Sequence, residues 1–229
     1  MAIWKRIILF GDSITQYSTF TRGWETYVHE LVQRKCDIFN RGFSGYNTDF
    51  AVKIQESVLS EHLLHDVAFA TIFFGANDAA LPEYSSEHHV PVERYEMNLN
   101  KIVDNFKKMD LDADKIIIIS PPPVDEKAHL QNTIAKGNGN VSDRSNDVTK
   151  TYGQASARVA KARGCRHIDL WQTMMSTDNY SKYLSDGLHL SDEGNKLLGK
   201  CLEPHVRELT QHLPVMLPQW RDFKLSNFK

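Results

Sequence analysis

The chain has 229 residues, of which 41% are hydrophobic and 24% are charged, and its formal net charge is −2. This composition is typical of globular proteins and excludes disordered and fibrous classes. A charge this close to neutral provides no attraction toward nucleic acid or anionic membranes, so a small neutral molecule is the expected partner. No stretch approaches the roughly 20 apolar residues of a membrane span.

The compartment and the cofactor content are predicted from the amino terminus and the cysteines. The sequence enters its first apolar run almost at once, which leaves no room for a secretory signal. Three cysteines, Cys36, Cys165 and Cys201, are widely spaced and odd in number, which disfavours a disulfide framework or a metal site. We therefore expect reduced and buried cysteines, a cytoplasmic protein, and neither a metal nor a cofactor.

Apolar runs that alternate with helical patterns predict the fold. Runs without polar interruption are typical of strands in a parallel sheet covered on both faces. The predicted strands are residues 7–10, 37–40, 67–74, 115–120 and 166–170. Together with the intervening helices they predict a three-layer α/β/α sandwich with a mainly parallel sheet of about five strands, in a single domain over residues 1–212.

Apolar residues at helical spacing and local capping residues predict the helices. Helices are expected to begin at Trp24, after a cap at Thr48 or Asp49, at Val92, and after a cap at Ser191. A further helix is expected to contain Tyr152 and to stop at Gly164. Pro204 is expected to kink or break the last helix. The polar segment 124–147 is expected to be an irregular excursion over the surface or the strand ends.

Residues 213–229 form an apolar and aromatic tail. We expect Leu217, Trp220 and Phe223 to pack on the domain or on a neighbouring subunit, in the latter case as a homodimer, because these side chains would otherwise be exposed. In that position the tail would help to wall the substrate pocket.

The first predicted strand stops at Gly11, Asp12 and Ser13, where α/β sheets place their chemistry. Ser13 is a candidate nucleophile, and the alternative is that it caps the next helix. Further along the chain, Asp186 and His189 are three residues apart. The carboxylate could orient the imidazole so that it accepts the Ser13 proton, or the pair could merely stiffen a loop.

Acyl transfer to a serine also needs hydrogen-bond donors for the developing oxyanion. The candidates are the backbone N–H groups of Ser13 and Gly42 and the side-chain amide of Asn77. The alternatives are that Gly42 serves a turn and that Asn77 caps a loop.

Four motifs, Gly11-Asp12-Ser13, Gly42, Gly75-Ala76-Asn77-Asp78 and Asp186-Gly187-Leu188-His189, resemble in order and spacing the four blocks of the SGNH, or GDSL-type, hydrolases. The resemblance spans nearly the whole chain. It implies an esterase with Ser13 as the nucleophile, His189 as the base, Asp186 as its orienting group, and Ser13, Gly42 and Asn77 as the oxyanion hole.

The stretches 8–16 and 73–79 are similar to the isoamyl acetate-hydrolysing esterase branch of this family, which implies short-chain esters, and acetates in particular. Lysophospholipase, thioesterase or acyltransferase activity on the same scaffold is the alternative. A nucleotide- or flavin-binding module is more remote, because the first loop lacks the G-x-G-x-x-G and Walker patterns.

Two patterns are interpreted as decoys. Ser44 lies in a near match to the nucleophile elbow of the α/β-hydrolases, but no residue separates it from Gly45 as that motif requires. The pairs His62 and His65, and His88 and His89, lack the HExxH arrangement of zinc enzymes. All four histidines are therefore expected at the surface.

Overall fold

The structure, a computed structural model, describes residues 4–20, 22–59, 65–217 and 219–222. Its centre is a parallel sheet, and the described strands have the order β2-β1-β3-β4-β5. Their bounds are β1 Lys5–Gly11, β2 Cys36–Gly42, β3 Val67–Phe73, β4 Ile116–Ile119 and β5 Arg166–Ile168.

Helices connect the strands and cover both faces of the sheet. The described α-helices are α1 Ser13–Gln16, α2 Trp24–Val32, α3 Thr48–Val58, α4 Val92–Lys108, α5 Glu126–Ala135, α6 Asn146–Arg163, α7 Leu170–Met175 and α8 Asp192–Thr210. Short 3₁₀ turns occupy Tyr17–Thr19, Ala113–Lys115, Tyr180–Tyr183 and Trp220–Asp222.

The alternation of side chains along each strand divides the core into two layers. In β1, Ile8 and Phe10 face a cluster that includes α3, α4 and α6, whereas Ile7 and Leu9 face α2, α7 and α8. Because both faces of the central strands are buried, their sequences are apolar without interruption. This arrangement confirms the predicted three-layer sandwich.

Several local predictions differ from the structure. The cap of α3 is Asn47 and not Thr48 or Asp49, because the Asn47 side chain accepts the N–H of Phe50. The helix therefore begins at Thr48. Helix α8 continues through Pro204 to Thr210, where the buried side chains of Leu202 and Val206 hold it on the sheet. The three cysteines are free, but Cys36 alone among them is buried.

The polar segment 124–147 contains a helix that the sequence did not predict. Helix α5 is capped by Asp125, whose side chain accepts the N–H of Ala128, and His129 is its buried residue. A helix with so little apolar surface has no hydrophobic periodicity to reveal it. Helix α6 begins at Asn146, so the irregular part of the segment is short.

The described part of the tail lies away from Ser13. The N–H of Met216 donates to the Arg34 carbonyl (2.7 Å), and the Arg34 guanidinium donates to the carbonyls of Met216 and Leu217. Arg34 precedes β2, at the amino edge of the sheet, whereas Ser13 follows the carboxyl end of β1. These tail residues therefore do not wall a pocket at Ser13 of the same chain.

Beyond this anchor the tail exposes Leu217 and Trp220, with 55% and 78% of their surface accessible. Packing of these side chains on the domain is thus not observed, and packing on a neighbouring subunit stays a prediction. Phe223 lies outside the described residues.

The contact between α2 and α8 provides a test of the packing. A Cβ at Gly199 would lie 2.7 Å from both Cβ and Cγ of Tyr27, whereas a Cβ at Gly153 in α6 would meet Trp171 at an ordinary 3.6 Å. Both glycines lie inside helices, where alanine is favoured by about 1 kcal/mol. We expect Gly153→Ala to stabilise the protein and Gly199→Ala to destabilise it by about 1–3 kcal/mol, the usual cost of overpacking.

Urea unfolding at constant pH measures both variants. Equal stabilisation of the two would contradict the tight α2–α8 contact.

Candidate active site

The candidate residues lie at the carboxyl edge of the sheet. Ser13 follows β1, the 43–47 loop follows β2, Asn77 follows β3, and Asp186 and His189 come from the loop before α8. In a sheet of order 2-1-3-4-5 the connections diverge on either side of the boundary between β1 and β3, and ligands bind in the crevice that this creates.

Ser13 is the first residue of α1, and its neighbour Asp12 is the cap. The Asp12 side chain accepts the N–H of Ile14 at 2.9 Å. The alternative for Ser13, that it caps this helix, is therefore wrong. Its Oγ instead lies 2.9 Å from Nε2 of His189.

The Asp186 carboxylate holds His189 from the other side. Nδ1 of His189 donates to Oδ2 of Asp186 at 2.9 Å, and the N–H groups of Leu188 and His189 donate to Oδ1 at 3.0 and 2.8 Å. Asp186 thus both stiffens the loop and orients the imidazole. Burial acts to raise the pKa of Asp186, but the hydrogen bond and charge of the His189 side chain, with the two N–H groups, hold it well below its usual range.

Asn77 has its side-chain amide held at both ends. Nδ2 donates to the Tyr46 carbonyl at 2.9 Å, and Oδ1 accepts from Nη2 of Arg144 at 3.3 Å. The side chain makes no bond to its own loop, so the interpretation of Asn77 as a loop cap is not supported. Arg144 was not identified from the sequence, because the polar segment that carries it has no pattern to mark one arginine.

Gly42 has a packing role in the structure. Its N–H donates to Oδ1 of Asn40 at 2.9 Å, and a Cβ at this position would overlap the backbone of Gln16 in α1. The N–H is therefore already bonded, and the structure does not support Gly42 as an oxyanion donor.

Gly45 has a free N–H in the same loop. The N–H groups of Phe43, Ser44 and Tyr46 donate to Gly11, Gln16 and Phe43. The N–H of Gly45 has no partner among the described residues, and its φ of +80° favours glycine. The positive φ could not be read from the sequence, where two glycines lie three residues apart.

Two buried acids flank the site. Asp12 and Asp78 each have one carboxylate oxygen without a hydrogen-bond partner in the described part of the chain. Burial raises the pKa of each to about 7, although Ile14 N–H bonding opposes the shift for Asp12 and bonds from Thr48 oppose it for Asp78. Their mutual repulsion adds to the shift of Asp78.

His189 borders two of the cavities formed by described residues. One, of about 260 Å³, is lined by the apolar and aromatic side chains of Ile14, Tyr17, Phe20 and Leu190 and by the polar residues Ser185, Asp192 and Asn195. The other, of about 400 Å³, is lined by polar groups from α5 and the segment that follows it, among them Asn132, Asn138 and Asn140. Both cavities therefore adjoin the imidazole of His189.

The decoy residues have local partners. Ser44 is exposed and accepts a hydrogen bond from the Tyr17 hydroxyl at 3.1 Å. His88 and His89 are partly exposed, and each binds its own loop through Nδ1. His65 is exposed, and His62 lies outside the described residues.

Within the described ranges, no three His, Cys, Asp or Glu side chains are grouped so that they could hold a metal ion. Among the helices in those ranges, none has the length and hydropathy of a membrane span.

A serine, a histidine and an aspartate hydrogen-bonded in series on a parallel α/β scaffold are the arrangement found in many serine hydrolases. The model of the GDSL-like lipase/acylhydrolase family matches residues 9–197. The chain belongs to this family and is a carboxylic ester hydrolase.

This chain aligns with its relatives over most of their length. The human isoamyl acetate-hydrolyzing esterase 1 homolog is 41% identical over 221 residues, 96% of this chain and 88% of the relative. A GDSL esterase/lipase of Arabidopsis thaliana is 41% identical over 209 residues, 89% of this chain and 86% of the relative. The crystal structure of a lipase/acylhydrolase from Enterococcus faecalis shares the fold, with a TM-score of 0.71 and 24% identity over 93% of this chain and 100% of that one.

The buried acid Asp78 predicts a pH dependence of stability. A carboxyl group whose pKa is raised from 3.8 to about 7 in the folded state favours folding at low pH, and this contribution is lost as the pH rises from about 4 to about 7. Asp78→Asn retains an oxygen for the bonds from Thr48 and removes the titration. Since one pKa unit corresponds to about 1.4 kcal/mol, we expect the variant to gain at least about 1 kcal/mol relative to the wild type over this range.

Denaturant unfolding at pH 4.5 and pH 7 measures the difference, with Asp37→Asn, at an exposed position, as the control. A difference that stays constant with pH would contradict the shifted pKa.

Proposed function

We propose that this esterase hydrolyses short-chain carboxylic esters, acetates in particular, through an acyl-enzyme on Ser13. The observation that carries the proposal is the series of hydrogen bonds from Ser13 Oγ to His189 and from His189 to Asp186, each 2.9 Å long. A nucleophile, a base and an orienting group within hydrogen-bond reach are what acyl transfer by a serine requires.

In the first half-reaction Nε2 of His189 accepts the Ser13 proton while Oγ forms a bond to the ester carbonyl carbon. The carbon–oxygen bond to the alcohol then breaks, and the imidazolium returns the proton to the departing alcohol oxygen. In the second half-reaction a water molecule takes the place of the alcohol, and the carboxylic acid and free Ser13 are regenerated. The ionised Asp186 stabilises the imidazolium in both steps.

The oxyanion is assigned to three donors: the N–H of Ser13, the N–H of Gly45 and Nδ2 of Asn77. The first N–H groups of a helix have no partner within the helix, which leaves that of Ser13 available. Gly45 offers the unbonded N–H of its loop, and Nδ2 of Asn77 has a second hydrogen beyond the bond to Tyr46. This set replaces Gly42 with Gly45.

The substrate class rests on the relatives and on the smaller of the two cavities beside His189. Relatives 41% identical over nearly the whole chain are named for isoamyl acetate hydrolysis. This cavity touches the histidine that protonates the leaving alcohol, and its part lined by Tyr17 and Phe20 is placed to hold a small apolar alcohol portion.

Replacement of Ser13 tests the nucleophile. We expect Ser13→Ala to lower kcat for an acetate ester by more than about 10³-fold and to abolish labelling by a fluorophosphonate, because the hydroxyl bonded to His189 is lost. Ser44→Ala is the matched control, since this serine is close in the sequence and exposed, and it should retain wild-type activity and labelling. Hydrolysis by Ser13→Ala at the wild-type rate would refute the mechanism.

The labelled wild-type enzyme also tests the donors: in its crystal structure the phosphoryl oxygen should be within 2.7–3.1 Å of the Ser13 and Gly45 nitrogens, the range expected for oxyanion donors. A phosphoryl oxygen bonded to the Gly42 nitrogen would instead identify Gly42 as the donor and contradict the role of Gly45.

Esters of one alcohol with acyl groups from acetyl to octanoyl test the substrate class. We expect kcat/KM to be highest for the acetyl ester and to fall as the acyl group lengthens. A rise toward octanoyl would instead favour a lipid-directed hydrolase. Adding a competing alcohol to the acetate assay separates hydrolysis from acyl transfer, since transfer would yield a new ester.

A further inference from the structure

Arg144 is a buried arginine beside Asn77. It is 5% exposed and lies between α5 and α6 in a segment that pairs with the 76–81 loop through Ala80. Nε donates to the Ala76 carbonyl at 2.9 Å, Nη2 to Oδ1 of Asn77 at 3.3 Å, and Nη1 to the carboxylate of Asp143 at 2.5 Å. The guanidinium is thus fixed by three groups, of which Ala76 and Asn77 are neighbours in the loop after β3.

These contacts determine which way the Asn77 amide faces. A guanidinium contains donors only, so it can bind only the amide oxygen, and the Tyr46 carbonyl is an acceptor, so it can bind only the amide nitrogen. Both contacts therefore favour the same orientation of the side chain. The reversed amide would place NH₂ against the guanidinium and oxygen against a carbonyl.

We propose that Arg144 is a positioning residue that holds the Asn77 amide with its nitrogen toward the oxyanion and polarises it. The inference rests on the proposed function, in which Nδ2 of Asn77 donates to the oxyanion. A charged group bound to Oδ1 draws electron density from the amide and strengthens its N–H groups as donors, as hydrogen bonds in series do. Arg144 itself need not contact the substrate.

Because the charge and orientation matter when the oxyanion forms, Arg144 should affect kcat more than KM. We expect Arg144→Met to lower kcat for an acetate ester by about 10- to 100-fold, less than the roughly 10²–10³-fold that loss of an oxyanion donor costs. KM should change by less than about twofold, since uniform binding is not lost. Arg158→Met, which removes a surface ion pair with Glu96, is the matched control and should retain wild-type kcat.

A double-mutant cycle with Asn77→Ala distinguishes positioning from general structural support. If Arg144 acts through Asn77, Arg144→Met should lower kcat little or not at all once Asn77 is alanine. Fold-reductions that multiply in the double variant, or a wild-type kcat for Arg144→Met, would overturn the proposal. So would a raised KM with an unchanged kcat.

Two further measurements keep the test interpretable. Should Arg144→Met fail to fold, as judged by circular dichroism, Arg144→Lys retains the charge but lacks the planar fork, and it should give an intermediate loss of kcat and the same coupling to Asn77. The two proposals fail in different ways: activity of Ser13→Ala would refute the proposed function. An inactive Ser13→Ala together with independent Arg144 and Asn77 effects would refute only the inference about Arg144.

Discussion

The close contact between α1 and the ends of β1 and β2 is the constraint on which the rest of the site depends. Gly11 and Gly42 are opposite each other in the register of the two strands, and a Cβ on either one would overlap α1. The absence of these side chains lets the helix start against the sheet, where Asp12 caps it. Ser13 is thereby fixed at the first turn, with its hydroxyl directed to His189 and its N–H outside the helical hydrogen bonds.

Three aspartates at this edge of the sheet have different environments, which favour the ionised form of one and the neutral form of the other two. Asp186 is bonded to His189 and to two N–H groups, which favours its ionised form. Asp12 and Asp78 are buried with an unpartnered oxygen each, which favours their neutral forms. In the proposed mechanism a negative charge next to Ser13 would oppose the developing oxyanion, and burial of Asp12 would lower this electrostatic cost. The carboxylate that supports the imidazole remains charged.

The sequence predicted the sheet well because its strands are apolar on both faces, and it predicted the longer helices that have an apolar face toward the core. It missed the short helix α7, because the buried Leu170 follows β5 so closely that it extends the apolar run of the strand. Helix α5 was missed because it buries little more than His129. The placement of Ser13 and Asn77 at one edge could be predicted because parallel strands deliver their following loops to the same edge. Asp186 and His189 follow no strand directly, so their place beside Ser13 was expected from the resemblance to the family. The choice between Gly42 and Gly45 could not, because it depends on a hydrogen bond to Asn40 and on a φ angle. No pattern in residues 136–145 distinguishes Arg144 from a surface arginine.

The segment between α5 and α6 links the wall of the polar cavity to the amide of Asn77. Asn138 and Asn140 line the cavity beside His189, and Arg144, a few residues later, is bonded to Asn77. Asn138 and Asn140 are exposed, and the buried part of the segment begins at Arg144, so the chain itself is the link between the wall and Asn77. If Nδ2 of Asn77 donates to the oxyanion as proposed, a residue of this segment can therefore influence kcat although it touches neither the nucleophile nor the histidine.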